Sequence, residues 1–256
     1  MFSSFSEQDR EWTDQFQASS WLAAPGVNLP YRMLRPVQAG EQFPLVLFLH
    51  GAGERGSDNR VQLRHGVRRF ALAEMQARFP CFVVAPQCPR GPAGSPSYWL
   101  DEHPDAADAG LAGTEADLLA MVLTLTDAVM QNEPVDFGRV YVTGISMGGF
   151  ATWTLPARRP DFFAAAVPVC GGGDPGTASL LQTIPIWAFH GSADQVVPVQ
   201  YSRQMVEALR KQGTNPKYTE YEGVGHDSWT PAYKEPELLN WMFSQHRLLR
   251  GGSHGP

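Results

Sequence analysis

Cysteine is scarce: the 256 residues contain three, Cys81, Cys88 and Cys170. Cys81 opens a predicted strand and Cys88 lies just past its end, so extended backbone would hold them about 20 Å apart, beyond disulfide reach. All three are read as free buried thiols. No Cys/His spacing resembles a zinc site, so no metal is expected and a reducing compartment, the cytoplasm, is. Long apolar runs are missing too: none approaches the roughly 20 residues of a membrane span. The opening Met1 to Arg10 is polar and acidic rather than basic and then apolar, which leads to the expectation of a soluble chain without a signal peptide. Positive charge is also sparse, with 20 basic against 26 acidic side chains and a net charge of −6. The densest basic stretch, Arg64 to Arg69, is interrupted by His65, Gly66 and Val67, too thin for a nucleic-acid surface.

What is present is an alternation of short apolar runs and helical periods. Tyr31–Leu34 reads as a short strand, and Leu45–His50 (LVLFLH) as a strand covered on both faces. A helix is predicted within Leu63–Phe79, then a strand at Phe82–Ala85. Residues 88–113, rich in Pro, Gly, Asp and Ala, show no clear period and read as a long functional or mobile loop. Thr114 and Asp117 form a capping-box pair ahead of a helix whose Leu118, Val122, Leu125 and Val129 share one face. Strands follow at Val140–Thr143, Ala164–Val169, Pro185–His190 and Tyr218–Tyr221, with helices after Ser146, at Tyr201–Lys211 and at Pro236–Arg247. Pro156 should kink or end the helix after Ser146. The pattern predicts one α/β domain, residues 29–249, built on a mostly parallel sheet with helices on both faces. Residues 1–28, with Phe2, Phe5, Trp12, Phe16 and Trp21, are expected to pack on it as an N-terminal extension, and residues 250–256 to form a disordered tail.

The stretch Val140 to Gly149 runs a strand into Gly144-Ile145-Ser146-Met147-Gly148. In a nucleophile elbow such a serine sits on a strained turn, with glycines where strand and helix nearly touch. The pentapeptide alone arises by accident in about one chain in ten of this size, so its context decides. Open α/β sheets place reactive groups beyond the carboxyl ends of their strands. There the sequence offers Ser146, then Asp194 in Gly191-Ser192-Ala193-Asp194, then His226 in Gly223-Val224-Gly225-His226, in the order Ser, Asp, His of α/β-hydrolases. A serine hydroxyl needs an imidazole to take its proton, and the imidazole needs a carboxylate to hold its tautomer. Asp227 and Glu222 compete with Asp194 for that last role, but a carboxylate next to the imidazole in sequence lacks reach. A tetrahedral oxyanion needs two donors, expected from the N–H groups of Met147 and Ala52. The turn His50-Gly51-Ala52-Gly53 has neither the Lys-Ser/Thr of a P-loop nor the third glycine of a dinucleotide site, so no cofactor is expected.

His50 and His190, each ending a strand, read as structural anchors for the loops they start, whereas His65, His103, His246 and His254 read as surface residues. Among aromatics near the site, Trp153 reads as core, and Tyr98, Trp99 and Trp229 as candidate pocket walls.

Together HGAGERG, VVAPQCP, GISMGG, HGSAD and GHDSW resemble the α/β-hydrolase group of esterases and peptidases related to phospholipase/carboxylesterases and polyhydroxyalkanoate depolymerase-like enzymes. The resemblance covers roughly residues 28–247. It implies a triad of Ser146, Asp194 and His226 and an oxyanion turn at Ala52 with Met147. Serine at position 146 sets the chain apart from dienelactone hydrolases, which carry cysteine there. Only 15 positions separate Cys170 from Pro185, which leaves no room for a large lid domain. The reading that follows is a serine hydrolase of carboxylic esters with small or medium acyl groups. A peptidase on short peptides with the same triad, and a hydrolase scaffold kept for ligand binding, are the alternatives.

Overall fold

A computed structural model describes residues 11–24, 27–90, 99 and 117–247. Among them, eight strands form one sheet in the order β1-β2-β4-β3-β5-β6-β7-β8: β1 (Gln17–Ala24), β2 (Val27–Leu34), β3 (Phe43–Leu49), β4 (Phe82–Pro86), β5 (Val135–Ile145), β6 (Ala165–Val169), β7 (Trp187–Gly191) and β8 (Lys217–Tyr221). From β4 onward across the sheet every neighbour is parallel, whereas β1 on β2 and β2 on β4 are antiparallel. The helices are α1 (Arg68–Ala71), α2 (Ala73–Arg78), α3 (Leu118–Asn132), α4 (Met147–Arg158), α5 (Gln200–Lys211), α6 (Trp229–Ala232) and α7 (Leu238–Ser244). No helix among the described residues is long and apolar enough to cross a membrane.

The continuous apolar run of β3 follows from burial on both faces. Leu45, Leu47 and Leu49 join one core with Leu119, Val122 and Leu125 of α3, Trp153 of α4 and Met205 of α5. Val46 and Phe48, pointing the other way because side chains alternate along a strand, join a second core with Phe70 of α1 and Leu238, Met242 and Phe243 of α7. Trp153 is core, as its helical position suggests.

Four local expectations need correction. The segment 1–28 is not simply appended to the domain: Gln17–Ala24 is β1, the sheet's edge strand, paired along its length with β2. Its alternation was masked by the polar Gln17, Ser19 and Ser20, tolerated on an edge that one neighbour covers. The helix expected within Leu63–Phe79 is instead a 3₁₀ turn at Val61–Leu63 followed by α1 and α2, separated at Leu72, whose backbone is extended at φ −62° and ψ 132°. Asp117 is itself the N-cap of α3, accepting from the Ala120 N–H at 3.1 Å. Its carboxylate also takes the Arg158 guanidinium at 2.5 Å, tying the start of α3 to the end of α4. Thr114, the proposed partner in the capping box, lies outside the described residues. Pro156 does not end α4 at once, since the helix continues to Arg158. The proline sits in the last turn, where only two residues remain to be displaced. Residues 250–256 and most of 88–113 also lie outside the described residues.

Candidate active site

The turn at Ser146 is built by close backbone contact. Ser146 has φ 52° and ψ −117°, a left-handed conformation that L side chains rarely adopt. It is held from both sides: its N–H donates to the Val169 carbonyl of β6 at 2.9 Å, and its carbonyl accepts from Phe150 N–H at 3.0 Å. A Cβ on Gly148 would lie 2.0 Å from the Leu49 carbonyl oxygen, and one on Gly144 2.5 Å from the Gly148 oxygen. Only glycine permits that approach of α4 to β3, which is why the small residues flank the serine.

β7 and β8 bring the other two reactive groups to the same edge. Ser146 Oγ is 2.9 Å from His226 Nε2, and His226 Nδ1 is 2.8 Å from Asp194 Oδ2. The Asp194 side chain is fully buried. Its Oδ1 accepts from the N–H groups of Val196 and Val197, each at 2.9 Å, which leaves Oδ2 aimed at the imidazole. Asp227 and Glu222, the competing carboxylates, are both exposed, and Asp227 Oδ1 instead accepts from the Thr230 N–H.

Behind Asp194 lies His190, also fully buried. Its Nε2 is 2.9 Å from the Val197 carbonyl and 3.2 Å from Asp194 Oδ2. Both partners are acceptors, so Nε2 carries a proton. Nδ1, 2.7 Å from Ser202 Oγ, then accepts the hydroxyl's hydrogen bond in a neutral ring, and the same oxygen lies 2.9 Å from the Gly171 carbonyl. Burial pushes the His190 imidazole below its ordinary pKa. His190 thus fastens the turn that presents Asp194.

The second buried histidine fastens the turn after β3. His50 Nε2 accepts from the Cys88 N–H at 2.9 Å. An amide nitrogen only donates, so the ring proton must sit on Nδ1, where it donates to the Gly51 carbonyl at 2.7 Å. Burial lowers the pKa of His50 to about 4, and the ring is neutral. No peptide bond described is cis. In a trans peptide the carbonyl and the next N–H point opposite ways, so Ala52 N–H is turned away from His50. Ala52 opens a 3₁₀ turn, Ala52–Glu54, and Met147 opens α4. First residues of such turns have N–H groups with no carbonyl one turn back to receive them. A Cβ on Gly51 would lie 3.6 Å from Ser146 Cβ, so the two turns abut at the serine.

Trp99 is 1% exposed; its indole N–H donates to the His50 carbonyl at 3.1 Å and its ring lies on the His50 ring at 5.1 Å. In that position it braces the turn. Trp229 begins α6, partly exposed, with its ring 5.3 Å from His226 and 5.4 Å from His65. Tyr98 lies outside the described residues, as do His103 and His254. His246 is exposed, but His65 is half-buried, not the plain surface residue its sequence suggests, because Trp229 covers it. Beside Trp229 opens a cavity of about 370 Å³ whose wall includes Arg64, His65, Arg68, Arg69 and Lys234.

Two groups escape a reading of the sequence. Glu54 is buried to 5% exposure beside the serine turn, and burial raises its carboxyl to about 7, opposed by Arg64 and by the N–H groups of Gly51 and Glu54. Its Oε1 is 3.7 Å from His65 Nε2. Cys170, the last residue before Gly171, has φ 40° and is wholly buried. Its sulfur, an Asp194 carboxylate oxygen and a His226 ring nitrogen all lie within 4.8 Å of one another. A charged residue in a glycine turn gives no sign that it will be buried, and a lone cysteine gives no sign of its neighbours.

An eight-stranded, mostly parallel sheet carrying a strained serine at the β5–α4 turn, with aspartate and histidine after β7 and β8, defines an α/β-hydrolase. Residues 100–235, more than half of the chain, match the dienelactone hydrolase family, and the chain belongs to that family. The expectation that Ser146 sets it apart is thereby corrected, since the matched segment includes the serine. The chain is 29% identical over 159 residues to poly(3-hydroxyalkanoate) depolymerase C of Paucimonas lemoignei, an alignment covering 61% of this chain and 34% of the relative. It is 24% identical over 214 residues to lysophospholipase-like protein 1 of Mus musculus, covering 78% and 86%. Among solved structures, a thermostable esterase superposes with a TM-score of 0.83 at 38% identity, over 93% of this chain and 64% of that one. The chain thus spans about a third of the depolymerase and less than two thirds of the esterase.

Proposed function

We propose that the chain is a serine hydrolase that cleaves carboxylic esters of small or medium acyl groups through an acyl-enzyme, with Ser146 as nucleophile, His226 as base and Asp194 as the orienting carboxylate. The observation that carries this reading is the unbroken line Ser146 Oγ, His226 Nε2, His226 Nδ1, Asp194 Oδ2, with contacts of 2.9 and 2.8 Å. His226 takes the hydroxyl proton on Nε2 as Oγ bonds to the ester carbonyl carbon. The oxyanion is received by the N–H groups of Ala52 and Met147. The imidazolium returns its proton to the departing alcohol, and water, deprotonated in the same way, releases the acid. The segment between β6 and β7 holds only a 3₁₀ helix, Pro175–Leu181, which favours small or medium acyl chains over a lidded site. The three free, buried thiols support a reducing compartment such as the cytoplasm.

The test is labelling by a fluorophosphonate, followed by p-nitrophenyl acetate, p-nitrophenyl butyrate and a panel of peptide amides. Labelling at Ser146 and ester turnover are expected, with Ser146→Ala lowering kcat by at least about 10⁴-fold. An unlabelled serine with no ester turned over defeats the proposal, and amides cleaved faster than esters reassign the substrate class.

A further inference from the structure

We propose that Cys170, Asp194 and His226 form an inhibitory site for a thiophilic divalent cation of the zinc type. The two carboxylate and imidazole ligands come from the line that serves Ser146, but the thiol has no part in the hydrolytic reading, so the site goes beyond that function.

The donor set is what makes the site. One sulfur, one imidazole nitrogen and one carboxylate oxygen converge within 4.8 Å. Zinc takes sulfur at about 2.3 Å and nitrogen or oxygen at about 2.0–2.2 Å, which in a tetrahedron places ligand atoms roughly 3.4 to 3.7 Å apart. His226 Nδ1 and Asp194 Oδ2, now 2.8 Å apart around a shared proton, would open by less than 1 Å, and the sulfur would close by about 1 Å. Cys170 and Asp194 are buried, while the His226 side chain is 21% exposed, so an ion has an entry side.

A second observation lies beside it. Ser228, two positions from His226, is 0% exposed and its Oγ has no hydrogen-bond partner. When the ion binds, the S–H bond breaks, the proton leaves to solvent and the sulfur lone pair binds the metal. Selectivity follows from the sulfur, because Mg²⁺ prefers oxygen ligands in an octahedron.

Inhibition follows whichever ring nitrogen is used. At Nδ1 the metal displaces the proton shared with Asp194, and at Nε2 it occupies the lone pair that faces Ser146 Oγ. Zinc chemistry here disarms the serine rather than assisting hydrolysis. The spacing along the chain hides such a site, since its ligands follow three different strands.

The experiment uses the full chain and Cd²⁺ as an optical stand-in for Zn²⁺, because a cadmium thiolate has an ultraviolet charge-transfer band. Ser146→Ala protein, which keeps all three ligands and needs no activity, should develop the band. It should vanish in Cys170→Ser and weaken at least about 10-fold in apparent affinity in His226→Ala. Cys81 and Cys88 remain in both, so a band that persists in Cys170→Ser belongs to them and overturns the proposal. With active protein, chelator-buffered Zn²⁺ should inhibit p-nitrophenyl acetate hydrolysis, EDTA should restore it, and Mg²⁺ should have no effect. Cys170→Ser should need at least about 10-fold more zinc. Equal zinc sensitivity with and without the thiol overturns the proposal. Should Cys170→Ser fail to fold, a cadmium band unaffected by His226→Ala does so equally. If the ester reading fails, the cadmium arm still decides.

Discussion

Gly148 lies so close to Leu49 that a methyl group in place of its hydrogen would stand 2.0 Å from the Leu49 carbonyl oxygen. That contact brings α4 against β3 and sets the turn at Ser146. Gly148→Ala should therefore destabilise the fold by about 4 kcal/mol or more, the range of severe core disruption, read as a collapse of the thermal transition. Gly53 is the internal control, because a Cβ there meets nothing within 4 Å. Gly53→Ala should melt close to the parent. Equal behaviour of the two variants would refute the close-packing account.

Asp194→Asn is expected to lower kcat by about 10⁴-fold while the fold is kept, a size taken from the corresponding change in another serine hydrolase. The direction comes from the hydrogen bonds. Two N–H groups, of Val196 and Val197, claim one side-chain oxygen, so in the amide that position stays oxygen and the NH₂ faces His226 Nδ1. The imidazole must then carry its proton on Nε2, where it can no longer accept from Ser146. Measured kcat within tenfold of the parent, with the fold intact by circular dichroism, would remove Asp194 from its proposed role.

Glu54 makes stability fall as the solution becomes alkaline. Its carboxyl is raised to about 7 from an ordinary 4.5, chiefly by burial, so the folded state holds a proton that the unfolded chain has lost. This contribution is complete below about 4.5 and disappears as pH rises through about 7, on the order of 3 kcal/mol at most. Glu54→Gln should flatten the melting temperature between pH 5 and pH 8, read by calorimetry. A variant with the parent's slope would show that other groups set it.

His50 works in the opposite direction. Burial depresses it to about 4, so the stability it contributes is whole above about 6.5 and is lost as pH falls through about 4, again on the order of 3 kcal/mol. Protonation places a second N–H against the Cys88 N–H and releases the turn that carries Ala52. The expected outcome is a melting temperature that falls as pH drops from about 6.5 through about 4, read by calorimetry. A melting temperature unchanged over that range would contradict it.

Residues that act along one strand were legible in the sequence: the apolar run of β3, the glycines around Ser146, and the reactive groups just after β5, β7 and β8. What stayed hidden depends on partners far apart in the chain. The bond from Cys88 N–H to His50 spans 38 positions and that from Trp99 to the His50 carbonyl 49, so sequence assigned His50 an anchoring role without its partners and placed Trp99 in the pocket. β1 was missed because an edge strand needs apolar residues on one face only, and polar Ser19 and Ser20 break the pattern. Asp117 was taken for the inner member of a cap because its bond to Arg158 joins two helices 41 positions apart.

The parallel half of the sheet grows outward from β5 through β6 and β7 to β8, in the order in which the chain is made. Synthesis runs from the N-terminus at about 5–20 residues per second, so Ser146 leaves the ribosome long before His226. During that interval the serine lacks the histidine proposed as its base. On that reading each newly made molecule stays silent until its last strand is laid down, and a chain broken off before β8 should hydrolyse no ester.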